Sequence, residues 1–199
     1  MRKKRHIGLY GGTFDPVHFG HLNLAIEMYE KNNLDEVLFC PNFISPLKID
    51  TPPIASAVHR LNMAKLAISD ISYFSIYDEE IKRQGVSYTI DTLRALQKKY
   101  FDATISLIVA QDALSEFSKW KDYKEILKIA PLLIGTRGSF DLSEELKKDV
   151  NKNLILTRHL DISSTDIRDR LKKGLYCGHL VPLKVLDYIK HNSLYLYSK

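Results

Sequence analysis

The chain has 199 residues, 45% of them hydrophobic and 27% charged, with 9 Gly and 7 Pro. Those proportions exclude disordered, collagen-like and repeat-built chains, and the length suffices for one domain whose core needs no disulfide or metal staple. The net charge of +5, from 29 Lys+Arg against 24 Asp+Glu, suits small anionic ligands, and no apolar run approaches the roughly 18 residues of a membrane span.

The chain opens MRKKRHIGLYGG, which is basic but lacks the apolar stretch of a signal peptide. Arg2, Lys3, Lys4 and Arg5 read as a solvated tail ahead of the first strand. HIGLYGGTF (6–14) reads as a buried strand running into a glycine turn. Leu22, Ala25, Ile26 and Tyr29 then fall on one helical face. EVLFCP (36–41) is a second strand, followed by a loop, PNFISPLKIDTPP, too broken for regular structure. Ala57, Leu61, Ala64 and Ile68 mark a helix with Ser56 as N-cap. FSIYD (74–78) is strand-like, and Ser87 is placed to cap a helix carrying Leu93, Leu96 and Tyr100.

ISLIVA (105–110) has the continuous apolar character of a central parallel strand. Helical segments follow around Leu114 and Ile126, then strands at PLLIGT (131–136) and NLILTR (153–158), with helices near 164–173 and 182–192. Segment 138–153 shows no clear pattern. Strands alternating with helices throughout imply an α/β fold: a Rossmann-like, doubly wound parallel sheet with helices on both faces. We expect one domain over 1–199 with a helical part from about residue 164. Ligands of such sheets sit beyond the carboxyl ends of the strands. The cysteines, Cys40 and Cys177, fit neither a disulfide framework nor a Cys-rich zinc site, so a cytoplasmic setting is expected.

Two segments carry chemistry. In GGTFDPVHFGH, Gly11 and Gly12 follow the first strand and a helix starts near Gly20. Its free N–H groups and positive dipole end form an anion site. Thr13 adds a hydroxyl, and His18 and His21, three apart, can point to one side. The segment fits neither G-x-G-x-x-G nor the P-loop pattern, and a zinc reading of His-x-x-His would need further ligands that no nearby cluster supplies. In DISSTDIRDRL, Ser163 and Asp166 have capping-box spacing, so a second helix starts beside three hydroxyls with Arg168 one turn in. By itself that string is equally an ordinary helix cap with a surface arginine.

As a whole, GGTFDPVHFGH resembles the signature of the nucleotidyltransferases with an H-x-G-H motif, and among them the bacterial nicotinate-nucleotide adenylyltransferases, with matches from Gly8 to Tyr195. The resemblance implies adenylyl transfer from ATP to nicotinate mononucleotide. It makes His18, His21, Lys48 and Arg168 the catalytic residues, and Gly11, Gly12, Thr13, Phe14, Asp112, Ser163, Ser164 and Thr165 the ATP-binding set. Tyr88 and Thr89, within GVSYTIDTL, together with Trp120 and Arg137, would bind the mononucleotide; a lone tryptophan is otherwise more often plain packing. Mg2+ would arrive with ATP, held by substrate and water, with no protein metal site. Neither nucleic acid nor membrane is expected as a partner; a homo-oligomer is compatible with the sequence, which does not set the oligomeric state.

Three positions depart from the family pattern. Leu47 precedes Lys48 where the family has His, Ala110 replaces the glycine of G-x-D, and Val86 replaces a proline. These predict activity with weakened ATP affinity. Rival readings are another superfamily transferase, for instance one acting on phosphopantetheine, a non-catalytic nucleotide sensor, and a nucleic-acid binder, which lacks the expected aromatic and basic interleaving.

Overall fold

The computed structural model describes residues 4–136, 154–158 and 160–196. Six strands, β1 (Arg5–Gly12), β2 (Glu36–Pro41), β3 (Phe74–Ile76), β4 (Ala103–Ala110), β5 (Leu132–Thr136) and β6 (Leu154–Leu156), form one sheet in the order β3-β2-β1-β4-β5-β6. Every pairing is parallel. The helices among the described residues are α1 (Phe19–Lys31), α2 (Ala57–Ile68), α3 (Glu79–Arg83), α4 (Thr89–Lys99), α5 (Gln111–Leu114), α6 (Tyr123–Ile129), α7 (Ser164–Lys172) and α8 (Leu183–His191). None of them is long and apolar enough to cross a membrane.

Side chains alternate across the sheet with the period of two that a strand imposes. Ile7, Leu9, Leu38, Cys40, Ile105, Leu107 and Val109 meet Leu93, Leu96, Leu114 and Ile126 of α4, α5 and α6. Tyr10, Val37, Phe39, Ile108 and Leu133 meet Leu24, Met28, Met63, Ile167 and Val185 of α1, α2, α7 and α8. Because both faces are covered, the strands read as unbroken apolar runs.

The sheet opens at its carboxyl end between β1 and β4. Their pairing ends at Tyr10↔Ile108. Beyond it Gly11 and Gly12 stay paired to Cys40 and Pro41 of β2, while Val109 and Ala110 stay paired to Ile134 and Gly135 of β5. This is the switch point of a doubly wound sheet, where the chain leaves β1 toward opposite edges.

Several local expectations shift. β1 ends at Gly12, within the glycine turn expected over 6–14, and Phe14 just beyond it adopts a left-handed backbone with φ of 52°. The 74–78 strand stops at Ile76 and an extra helix, α3, follows at once. Ser87 does not cap α4: Tyr88 holds that position, and the Ser87 hydroxyl accepts the Phe43 N–H at 3.0 Å. The Pro-rich loop contains one tight helical turn, Pro46–Lys48. On α1, Leu22 and Ala25 are buried as expected and Ile26 and Tyr29 pack half-buried against the core, while Leu24 and Met28 are buried as well, so the inner stripe is wider than the spacing implied. Arg5 is part of β1, and its guanidinium pairs with Glu36 at 2.6 Å.

Candidate active site

Beyond the parted strands lies a cleft of about 730 Å³, and beside it a smaller cavity of about 310 Å³. Gly11, Gly12, Thr13, Lys48, Asp112 and Trp120 line both, forming a shared wall. A Cβ at Gly11 would meet no protein atom within 4 Å, so glycine there keeps the wall open and does not relieve crowding. Gly12 differs: a Cβ would strike the Phe14 ring at 2.7 Å. Phe14 itself is 1% exposed, with its ring edge-on to His21 at 5.0 Å between centroids. Its side chain therefore buttresses the histidine and leaves little surface for a nucleotide.

His18 is the N-cap of α1 and His21 lies in its first turn. The rings stack at 3.7 Å between centroids, and His21 Nδ1 accepts the His18 backbone N–H at 3.2 Å. An Nδ1 that accepts carries no proton, so a neutral His21 keeps its proton on Nε2, which can then donate. A Cβ at Gly20 would press the His18 ring at 3.0 Å, which explains glycine between the two histidines. Both histidines line the large cleft.

The second helix start converges on the same cleft. Ser163 caps α7 by accepting the Asp166 N–H at 3.1 Å, as its spacing implied. Ser164 donates to the Pro16 carbonyl at 2.9 Å, so its hydroxyl ties α7 to the β1–α1 loop. Arg168 donates to the Asp15 carbonyl at 2.7 Å and to Thr165 Oγ1 at 3.1 Å. Ser163, Ser164, Thr165 and Arg168 all line the cleft. Two helix N-terminal turns and two basic side chains thus face one space, which suits a polyphosphate.

The small cavity is lined by Tyr88 and Thr89 at the start of α4, by Trp120, and by Leu47. Leu47 does not line the large cleft, so its departure from the family pattern bears first on the smaller site. Ala110 does line the large cleft. Lys121 holds its ammonium 4.5 Å from the Tyr88 ring centroid. At the cavity wall Glu80, buried, accepts the Thr92 hydroxyl at 2.5 Å. Burial and then Glu80 push the Cys40 thiol well above its ordinary range, so it stays protonated and inert. Arg137 lies outside the described residues.

Sequence reasoning missed two buried charges that hold this site. Arg60, 1% exposed, donates to the carbonyls of Thr13 at 2.7 Å, Phe43 at 2.8 Å and Ala55 at 3.2 Å. It knits the loops after β1 and β2 into one wall. Its position, three residues after Ala57 and four before Ala64 on the inner face of α2, was the available signal. Asp15, 5% exposed, accepts the Ile54 N–H at 2.8 Å and the Ala55 N–H at 3.1 Å. No pattern distinguished it within the motif.

Comparison with known proteins bears on the family and the fold. Residues 9–170 match the cytidylyltransferase-like family model. The chain is 40% identical over 194 residues to a probable nicotinate-nucleotide adenylyltransferase of Dictyoglomus turgidum, covering 95% of each. It is 37% identical over 190 residues to one of Methylacidiphilum infernorum, covering 96% of this chain and 92% of the relative. Among solved structures, a Plasmodium falciparum nicotinic acid mononucleotide adenylyltransferase complexed with APC superposes with a TM-score of 0.79 at 22% identity, covering 96% of this chain and 97% of the other. At that identity the likeness concerns the fold.

Proposed function

The chain belongs to the nicotinate-nucleotide adenylyltransferases within the cytidylyltransferase-like family, and from that premise we infer how its residues perform the reaction. The enzyme transfers the adenylyl group of ATP to the phosphate of nicotinate mononucleotide, giving deamido-NAD and pyrophosphate. The observation that carries the residue assignment is the pair of unequal cavities sharing one wall, the larger faced by both helix starts.

A mononucleotide phosphate has a second pKa of about 6 and is largely dianionic at neutral pH, so the attacking oxygen needs no general base. Catalysis then rests on holding two polyanions in line and neutralising charge on the α-phosphate and the departing pyrophosphate. We assign ATP to the large cleft, its phosphates toward the N-terminal turns of α1 and α7. His18 and His21 act as hydrogen-bond donors to the transferring and leaving groups, and Lys48 and Arg168 supply positive charge. Gly11 and Gly12 let the backbone approach, with Thr13, Ser163, Ser164 and Thr165 around the phosphates. We assign the ribose to Asp112, which is exposed on α5. Phe14 contributes through the His21 ring it supports.

Nicotinate mononucleotide is assigned to the smaller cavity, with Trp120 against the pyridine ring and the N-terminal turn of α4, at Tyr88 and Thr89, facing the ring carboxylate. Magnesium enters as the ATP complex. The cation would be ligated by phosphate and water. Its chemistry is charge neutralisation on the triphosphate. The two free thiols, Cys40 and Cys177, are consistent with a cytoplasmic setting.

The test is pyrophosphate release from ATP with a panel of acceptors: nicotinate mononucleotide, its amide and phosphopantetheine. We expect the acid mononucleotide to have the highest kcat/KM. Equal values for acid and amide would refute the assignment of the smaller cavity.

A further inference from the structure

Asp15 lies at the junction of the β1–α1 loop with the residues that precede α2, and a third donor reaches it from the far end of the chain. The hydroxyl of Tyr195, 180 positions away, donates to Asp15 Oδ1 at 2.6 Å. Tyr195 follows α8, is 6% exposed, and adopts a left-handed backbone with φ of 61°. Burial first, and then the Asp15 charge and the hydrogen bond to it, push its phenol pKa far up, so the hydroxyl remains a donor at any working pH. Together with the Ile54 and Ala55 amides it occupies both carboxylate oxygens.

Arg168 stands on the other side of the same residue. Its Nη1 bonds the Asp15 backbone carbonyl and lies 4.0 Å from Asp15 Oδ2. Oδ2 accepts the Ile54 amide and Oδ1 accepts both the Ala55 amide and the Tyr195 hydroxyl. Without the hydroxyl the carboxylate's charge is less neutralised, and at that distance it would compete more strongly with a bound phosphate for the guanidinium. Arg60 also feels the Asp15 charge, but its guanidinium is hydrogen-bonded to the carbonyls of Thr13, Phe43 and Ala55.

We propose that Tyr195 is a positioning residue for the ATP site: its hydroxyl completes the hydrogen bonding of Asp15, and this leaves the Arg168 guanidinium directed to the triphosphate. The proposal rests on the assignment of ATP to the large cleft. It gives the carboxy-terminal turn a role in substrate affinity beyond packing.

The experiment measures calorimetric Kd for ATP and steady-state kinetics for wild type, Tyr195→Phe, and a variant with 4-aminophenylalanine at 195, which keeps a donor at the ring tip. For Tyr195→Phe we expect the Kd and KM for ATP to rise about five- to twentyfold, with kcat and the KM for nicotinate mononucleotide within about twofold. The amino variant should return ATP affinity to within about threefold of wild type. In an Arg168→Ala background, Tyr195→Phe should change ATP affinity less than twofold, since the path through Arg168 is gone. Unchanged ATP affinity, a fall in kcat alone, additive effects in that background, or an amino variant no better than Phe would each overturn the proposal. A Phe variant that does not fold would make the hydroxyl a structural element and overturn it too. Failure of the wild type to bind ATP or to release pyrophosphate would instead refute the functional reading on which the proposal depends.

Discussion

Replacing Arg60 with methionine removes a buried guanidinium while keeping most of the stem's volume. Three backbone carbonyls, those of Thr13, Phe43 and Ala55, then lose a donor. An orphaned buried acceptor costs about 1–3 kcal/mol, which sets an upper bound of about 9 kcal/mol if all three stay dry. Two effects reduce it. The guanidinium's own burial penalty disappears, a penalty evident in the lowering of the Arg60 pKa mainly by desolvation, and water can enter from the cleft beside Thr13. A net loss of about 3–5 kcal/mol remains, equivalent to about two of the three carbonyls staying unsatisfied. For a chain of this size each kcal/mol lowers Tm by about 2–4 °C, so Tm should fall by about 6–20 °C. Because Arg60 joins walls of both cavities, KM for both substrates should rise. Arg60→Lys should not rescue, since one ammonium cannot span three carbonyls. Calorimetry with steady-state kinetics checks this, and a Tm shift under about 3 °C with unchanged KM values would refute the clamp.

Three further outcomes are expected. His18→Ala or His21→Ala should lower kcat about a hundred- to a thousandfold with the fold intact by circular dichroism; wild-type turnover in both would remove the histidines from the phosphate site. Gly11→Val should leave Tm within about 3 °C, since its side chain enters open space in the free enzyme, yet cut kcat/KM at least about tenfold; full activity would mean the ligands pass elsewhere. Glu27, whose burial favours the neutral acid, has its pKa lowered overall by hydrogen bonds from Lys31 and the Arg158 amide and by the Lys31 charge. A lowered folded pKa stabilises the fold above the unfolded value of about 4.5 and is lost as pH falls through the folded value. Glu27→Gln should therefore flatten the acid limb of the stability profile, and an identical limb would refute that contribution.

The positive charge that mattered was small. Lys48 and Arg168 face the cleft, whereas Arg5, part of the conspicuous basic start, pairs with Glu36 at the sheet's amino end. The excess of +5 thus marks where two anionic substrates gather only through a few positions.

By itself the sequence determined the strand and helix alternation, both helix starts, and the motifs that place the family, because these depend on local periodicity, capping and short-range spacing. Ser163 caps α7 as its neighbours required, and the apolar run 105–110 is buried in the carboxy-terminal part of β4, next to β1. Boundaries set by contacts distant in sequence were not legible. Ser87 was drawn from its helix to the Phe43 amide, and the α1 stripe was widened to Leu24 and Met28 by what packs against it. Only tertiary structure parted β1 from β4, divided the site into two cavities with Leu47 in the smaller, and buried Asp15, Arg60 and Tyr195 together. A buried charge is chosen by the carbonyls and hydroxyls that converge on it from remote segments, and no spacing along the chain records that convergence.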